Sequence, residues 1–223
     1  MSIQDQTPNA PAFALEELRL WVPSSAAQAI DAKRLLDIAV SFILIALLLP
    51  VLAAITLAVT AESRGPVLFC QRRTGMGGRI FPMFKFRSMR VMENGADVVQ
   101  ATQNDPRVTR IGRVLRATSL DELPQLFNVL TGEMSLVGPR PHAVAHDEYY
   151  GAHIATYVLR QKVKPGMTGW AQVNGARGET PELRHMQARI DLDAWYVEHH
   201  SFLLDLKILA KTPLEVLKRR NAC

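Results

Sequence analysis

Between Ile38 and Val59 the chain runs through 22 residues without a charge, IAVSFILIALLLPVLAAITLAV. About 20 such residues cross a hydrocarbon core as a helix. A buried core helix rarely lacks any polar face for so long, so the pattern predicts a membrane segment. Pro50 falls near its middle, where it removes a backbone hydrogen bond and clashes with the carbonyl of Ala46. Cations flank both ends, Lys33 and Arg34 before and Arg64, Arg72 and Arg73 after, so charge does not orient the segment. A helix broken at Pro50 that enters and leaves by the same cytoplasmic face removes the conflict. A kinked helix that spans the bilayer stays open as the alternative.

Beyond the apolar run the pattern shortens. Val67 to Gln71 and Ile80 to Phe86 flank Gly75-Met76-Gly77-Gly78 and predict a β-hairpin with a glycine-rich turn. Val114 to Leu130 carries the densest helical spacing, Leu120, Leu123, Leu126, Phe127 and Leu130, with Gly132 as its C-cap. Pro139 and Pro141 exclude helix and central strand, so Gly138-Pro139-Arg140-Pro141 is an ordered loop. Pro165-Gly166 and Asn174-Gly175 bracket another loop, and Pro181 to Tyr196 reads as helix. Phe202 to Arg220 is amphipathic: leucines along one stripe, and Lys207, Lys211, Lys218, Arg219 and Arg220 supplying positive charge. Such a helix suits an anionic bilayer surface, or equally a domain helix with a solvated basic face. Residues 1–32 form an extension carrying Pro8, Pro11 and Pro23, residues 33–62 the membrane element, and residues 63–223 the polar domain.

Composition changes this picture little. Of 223 residues, 48% are hydrophobic and 21% charged, which argues against disorder over most of the length. A net charge of +5 and a pI near 9.5 favour anionic partners: nucleic acid, lipid headgroups or phosphorylated metabolites. The two cysteines, Cys70 and Cys223, form neither a disulfide framework nor a zinc site and fit a reducing compartment. No P-loop or dinucleotide-binding glycine pattern is present, and the six histidines lack ligand spacing. Beside a membrane segment, nucleic acid is excluded as a partner.

Candidate chemistry concentrates in three places. Thr118-Ser119-Leu120-Asp121-Glu122 reads first as a capping box, Ser119 with Glu122, and Asp121 complements the helix dipole. The same placement suits a nucleophilic carboxylate beside a second acid that shares a divalent cation or handles a proton. Lys85 and Arg87 fall on one face of a strand, with Phe84, Phe86 and Ser88 opposite, and two converging cations suit a diphosphate. A solvated strand face explains them as well. Arg140, clamped between two prolines, has a restricted backbone suited to bidentate phosphate contact, and Gly138 permits close approach of a ligand. Arg177, between Asn174-Gly175 and Gly178-Glu179, is a further candidate of that kind.

Taken in order, KRLLD before the apolar run, then GPVLFCQRRTG, FKFRSM, TSLDELPQLFNVLTGEMSLVGPRP, KPGMTGWAQVNG, ARGET and LDLKILAKT resemble the bacterial sugar transferase family, the monotopic polyprenyl-phosphate phosphoglycosyl transferases. The resemblance runs from about residue 33 to residue 217. It implies an α+β fold: a re-entrant helix-break-helix, membrane-surface amphipathic helices, and a small cytosolic catalytic part containing a β-hairpin. It implies two-step transfer of a hexose-1-phosphate from a UDP-hexose to polyprenyl (undecaprenyl) phosphate, with UMP released and a phosphosugar carried covalently on Asp121. It implies magnesium (Mg2+) as well, for which Asp121 and Glu122 are the expected ligands, Glu122 assisting metal binding or deprotonation. The cations Lys85, Arg87, Arg140 and Arg177 are then expected to neutralise phosphate charge.

Pro50 matches the family's helix break, although Leu49 stands where a serine often precedes that proline. ARGET resembles the exopolysaccharide-type branch, with Ala176 in place of the usual aromatic, and glucose is favoured over galactose. Larger relatives carry more membrane helices ahead of this region, so the chain reads as a minimal form. The expected location is the bacterial inner (cytoplasmic) membrane, catalytic part toward the cytoplasm, among membrane lipids; a homo-oligomer is left open. The competing reading is a non-catalytic, membrane-anchored adaptor with a basic lipid-binding domain.

Overall fold

The computed structural model describes residues 31–90, 105–178, 180 and 182–217. Residues 1–30 of the extension and the cations Lys218, Arg219 and Arg220 lie outside them. The apolar run forms a single helix, α1 (Ala32–Glu62), 31 residues or roughly 46 Å long, with Pro50 inside it. It is long and apolar enough to cross a membrane. Its Asp31 side chain accepts the Lys33 N–H at the N-terminus.

One face of α1 is buried: Asp37, Ser41, Ile55 and Val59, with Val40, Leu44, Ile45 and Leu52 half-covered between them. The spacing of three and four keeps these residues on one side. The opposite side leaves Leu35, Phe42, Ile43, Leu47, Leu49 and Leu57 exposed, several above 60%. So large an apolar stripe is not a water-facing surface.

Both ends of α1 dock on the same folded body. At the N-terminal end Lys33 reaches Asp205 at 2.5 Å and the Val137 carbonyl at 3.0 Å. Arg34 donates to the carbonyls of Val129 and Leu130, and Asp37 accepts from Ser135 Oγ and the Leu136 N–H. At the C-terminal end, Arg87 donates to the carbonyls of Val59, Ser63 and Arg64. Ser63 and Arg64 follow the last turn, so their carbonyls have no helical donor, while the Val59 carbonyl also accepts the Ser63 N–H at 3.3 Å. Glu62 accepts the N–H groups of Arg110 and Ile111.

The predicted hairpin is β1 (Leu68–Thr74) and β2 (Ile80–Phe86), antiparallel with Cys70 opposite Phe84. A 3-10 turn, Met76–Gly78, closes it, and Gly77 and Gly78 adopt positive φ of 66° and 77°. A second small sheet pairs β3 (Ser135–Val137) with β4 (Gly166–Thr168) in parallel.

The helix expected over Val114 to Leu130 is divided. Helix α2 (Arg110–Thr118) ends where Ser119 takes a left-handed conformation, φ 60°. A 3-10 turn, Leu120–Glu122, follows, then Pro124 and α3 (Gln125–Thr131), capped by Gly132 at φ 89° as the sequence predicts. Proline at a helix start costs nothing, because the N–H it lacks has no helical partner there.

The remaining helices are α4 (Val144–His153), a 3-10 stretch Ala155–Lys162, α5 (Trp170–Val173), α6 (Leu183–His199) and α7 (Phe202–Leu217). The main core gathers Phe81, Met83, Leu126, Val129, Met134, Leu136, Val137, Tyr196 and Ile208, so hairpin, α3, β3, α6 and α7 share one interior. Burying each such large side chain contributes about 1.5–3 kcal/mol. The architecture is α+β, as expected.

Candidate active site

Asp121 and Glu122 lie on the 3-10 turn between α2 and α3, and Glu122 is held by tertiary contacts rather than by a helix cap. The capping box does not form. Its left-handed backbone leaves Ser119 without a side-chain cap bond; its hydroxyl instead accepts from Arg177, and the Glu122 carboxylate turns to the hairpin and the proline loop. Lys85 Nζ donates to Glu122 Oε1 at 2.9 Å. Arg140 forks onto both oxygens, Nη1 to Oε2 at 2.9 Å and Nη2 to Oε1. Asn128 of α3 fixes this arrangement by accepting the Phe84 N–H at 3.0 Å and donating to the Pro82 carbonyl at 2.7 Å, which locks the strand carrying Lys85 against the helix.

Asp121 is treated differently. It is buried, 7% exposed, and among the described residues its carboxylate accepts no hydrogen bond and makes no ion pair. Burial, and then the charge of Glu122, raise its pKa above the usual aspartate value. Burial pushes Glu122 the same way, yet Arg140 and Lys85 overcome it and hold that carboxyl well below the usual range. Two adjacent acids are thus driven apart by their surroundings, the pattern that assigns them different roles.

Positive charge exceeds what Glu122 takes up. Arg177 donates to Ser119 and has no ion pair among the described residues; burial and then Arg140 lower its pKa. Arg73 lies beneath the proline loop, donating to the Pro141 carbonyl at 3.2 Å and to Gln71 at 2.5 Å. Burial and Arg140 bring its pKa down to about 10. Arg189 donates to the Gly178 carbonyl at 2.7 Å while its buried Nε has no partner, and the same two causes bring it to about 10.

Of the residues singled out in the sequence, Asp121, Glu122, Lys85, Arg140 and Arg177 come together. Arg87 does not. Strand β2 ends at Phe86, so the alternation that paired Lys85 with Arg87 stops there, and Arg87 is buried on the closing turn of α1. Gly138 also serves a different end: a Cβ there meets the Lys164 carbonyl at 2.3 Å, so the close approach is backbone to backbone, not to a ligand. Pro50 lies exposed on α1, outside the cluster. Sequence reasoning missed Arg189 and Arg160, read Ser119 only as a helix cap, and read Arg73 only as a flanking cation. Burial and distant partners single these out, and no local pattern announces them. A small cleft behind Arg140 is lined by Gly75, Pro139, His142, Tyr157, Arg160 and Gln161, among others.

A hairpin lysine and a proline-clamped arginine grip one acid of an Asp-Glu pair, with the other acid left bare among surplus cations, an arrangement able to hold a phosphorylated, anionic ligand. The chain belongs to the bacterial sugar transferase family, whose profile matches residues 27–219. A UDP-glucose:undecaprenyl-phosphate glucose-1-phosphate transferase of Escherichia coli (strain K12) is 57% identical over 180 residues, 81% of this chain and 39% of the relative. Proteins of the same name from Xanthomonas campestris pv. campestris and Caulobacter vibrioides are 54% and 51% identical, over 86% and 85% of this chain and 40% and 71% of theirs. The chain therefore spans about 40% of the length of the E. coli and Xanthomonas relatives.

Proposed function

We propose that the chain transfers glucose-1-phosphate from UDP-glucose to undecaprenyl phosphate, with Asp121 as nucleophile, as the first committed step of exopolysaccharide assembly. The substrates follow the names of its relatives. The observation that carries the mechanism is the bare, buried Asp121 carboxylate beside a Glu122 committed to Lys85 and Arg140. A desolvated carboxylate is a stronger nucleophile than one bound by cations.

An Asp121 oxygen attacks the phosphorus bearing the sugar, the bond from that phosphorus to the bridging oxygen breaks, and UMP leaves. The acyl phosphate so formed is then attacked by an oxygen of the lipid phosphate, which expels the Asp121 carboxylate and yields lipid diphosphate-hexose. Arg140, Lys85 and Arg177 take up phosphate charge as it shifts. Magnesium usually binds through one or two carboxylates together with substrate phosphates. Asp121 would reach the ion only through the oxygen that does not attack, and Glu122 only by releasing Lys85 or Arg140; the ion would supply further neutralisation of the diphosphate. A non-catalytic adaptor leaves the bare Asp121 and the surplus cations without a reason.

The same reading places the catalytic part on the cytoplasmic face of the bacterial inner membrane, with α1 entering and leaving by that face at Pro50. Docking of both ends of α1 on one body supports this, since a straight span separates its ends by the bilayer thickness. The decisive experiment is covalent. Incubated with UDP-glucose and no lipid phosphate, the chain should release UMP stoichiometrically and gain one hexose-phosphate on the peptide containing Asp121. If UMP forms only when both substrates are present and rapid quenching traps no adduct, direct transfer replaces the two-step reading.

A further inference from the structure

The Pro139-Arg140-Pro141 loop is gripped from behind by groups that the transfer does not itself require. The guanidinium of Arg160 donates to the carbonyl of Arg140, reaches His142 Nδ1 at 3.0 Å, and donates from Nε to Asp193 Oδ2 at 2.9 Å. Arg160 and Asp193 are both buried, on the 3-10 stretch and on α6 respectively. Arg73 holds the next carbonyl, that of Pro141. Upstream, the Gly166 N–H donates to the Pro139 carbonyl and the Gly138 N–H to the Thr168 carbonyl, each at 2.9 Å. The prolines fix φ on either side of Arg140, and these contacts fix the peptide planes. What remains free is the Arg140 side chain, aimed at Glu122.

A buried ion pair is poor evidence for stability, because desolvation cancels much of its attraction. Its forked geometry explains this one better. A planar guanidinium holds a carboxylate, an imidazole and a carbonyl at fixed angles in one plane, whereas the three donors of an ammonium radiate from a single atom and fix no such plane.

We propose that Arg160, anchored by Asp193, is a positioning residue for the transfer: it sets the Arg140 backbone and so aims the Arg140 guanidinium at the donor's diphosphate. The inference rests on the reading of the site given above, and a misplacement of about 1 Å in such a group costs up to roughly 100-fold in rate.

The test is a double-mutant cycle on UMP release from UDP-glucose, using the full chain in bilayer discs, with thermal midpoints measured alongside. Arg160→Lys should lower kcat/KM by roughly 10- to 100-fold. Added to Arg140→Lys, whose aim is already lost, it should lower kcat/KM by less than about threefold. A merely structural role predicts the opposite: a lowered midpoint, and the same fold loss in both backgrounds. That result, or a folded Arg160→Lys chain with parental kcat/KM, overturns the inference. Should Arg160→Lys not fold, Asp193→Asn is carried through the same cycle under the same criteria. A parent chain that releases no UMP from any UDP-sugar refutes the proposed function itself, and the inference with it, whereas an active parent with an indifferent Arg160 refutes the inference alone.

Discussion

Two of the buried polar clusters among the described residues differ in whether their carboxylates and cations are paired. At the foot of α1, Lys33 meets Asp205 at 2.5 Å, Tyr196 donates to the other Asp205 oxygen at 2.6 Å, and Asp37 takes two donors from β3. Lys33 and Asp205 pair charge with charge, and both oxygens of Asp205 and the Asp37 carboxylate accept hydrogen bonds. Around the Asp-Glu pair, Arg73, Arg177 and Arg189 have no ion pair among the described residues, and Asp121 has no partner. Leaving charged groups unpaired in a low-dielectric interior is expensive. The foot is therefore what a polar cluster looks like when it serves to tie elements together, and the Asp-Glu region what one looks like when a charged ligand completes it.

The sharpest break of that comparison makes one chemical change in both clusters. Asp121→Asn should lower UMP release by roughly 10⁴-fold or more, as removal of a nucleophile does, while the thermal midpoint holds or rises because a destabilised charge is gone. Asp205→Asn should do the reverse, costing about 3 kcal/mol of stability by stranding Lys33 and leaving turnover of the folded fraction near the parent's. If Asp121→Asn keeps turnover, the distinction between the clusters collapses.

A smaller effect separates two cations that stand two positions apart. Lys85→Met should cut kcat/KM at least about tenfold by releasing Glu122, with a modest change in melting. Arg87→Met leaves the Ser63 and Arg64 carbonyls, just past the end of α1, without that donor and should cost roughly 1–3 kcal/mol, with turnover preserved. Loss of activity in Arg87→Met at an unchanged midpoint would return Arg87 to the phosphate site.

The smallest effect is a shift in pH dependence. Because burial and Glu122 raise the Asp121 pKa, the acid limb of kcat/KM should lie above the ordinary aspartate value of about 3.9. Glu122→Gln removes the neighbouring negative charge and leaves Lys85 and Arg140 to act on Asp121 alone, so the limb of the residual activity should move to lower pH. Stability carries the other sign. The folded pKa of Glu122 is depressed, so its contribution is present above the ordinary glutamate value of about 4.3 and fades as pH falls through the folded value. Urea midpoints of Glu122→Gln should therefore lie below the parent's at neutral pH and approach it in acid; a gap that widens in acid contradicts the assignment.

Much of this protein was determined locally. The uncharged run makes α1, the glycines between Thr74 and Ile80 make the hairpin turn, Gly132 ends α3, and the two prolines keep Arg140 in a loop. Each depends on neighbours within a few positions, which is why periodicity and turn chemistry find them. The residue types of the site were legible too, since Asp-Glu and Pro-Arg-Pro stand out as strings. What only the tertiary structure decided is which charge meets which partner. Alternation put Arg87 beside Lys85, but the strand stopped one residue short, and the end of α1 took the guanidinium. The capping box at Ser119 and Glu122 was overridden because Arg177, 58 positions from Ser119, and Lys85, 37 from Glu122, offered better partners. Arg160 has no signature at all until folding brings it to the Arg140 carbonyl. A side chain's charge is written in the sequence, but the desolvation and pairing that turn it into a strut, an anchor or a nucleophile come from residues far along the chain, and those meet only when the core closes.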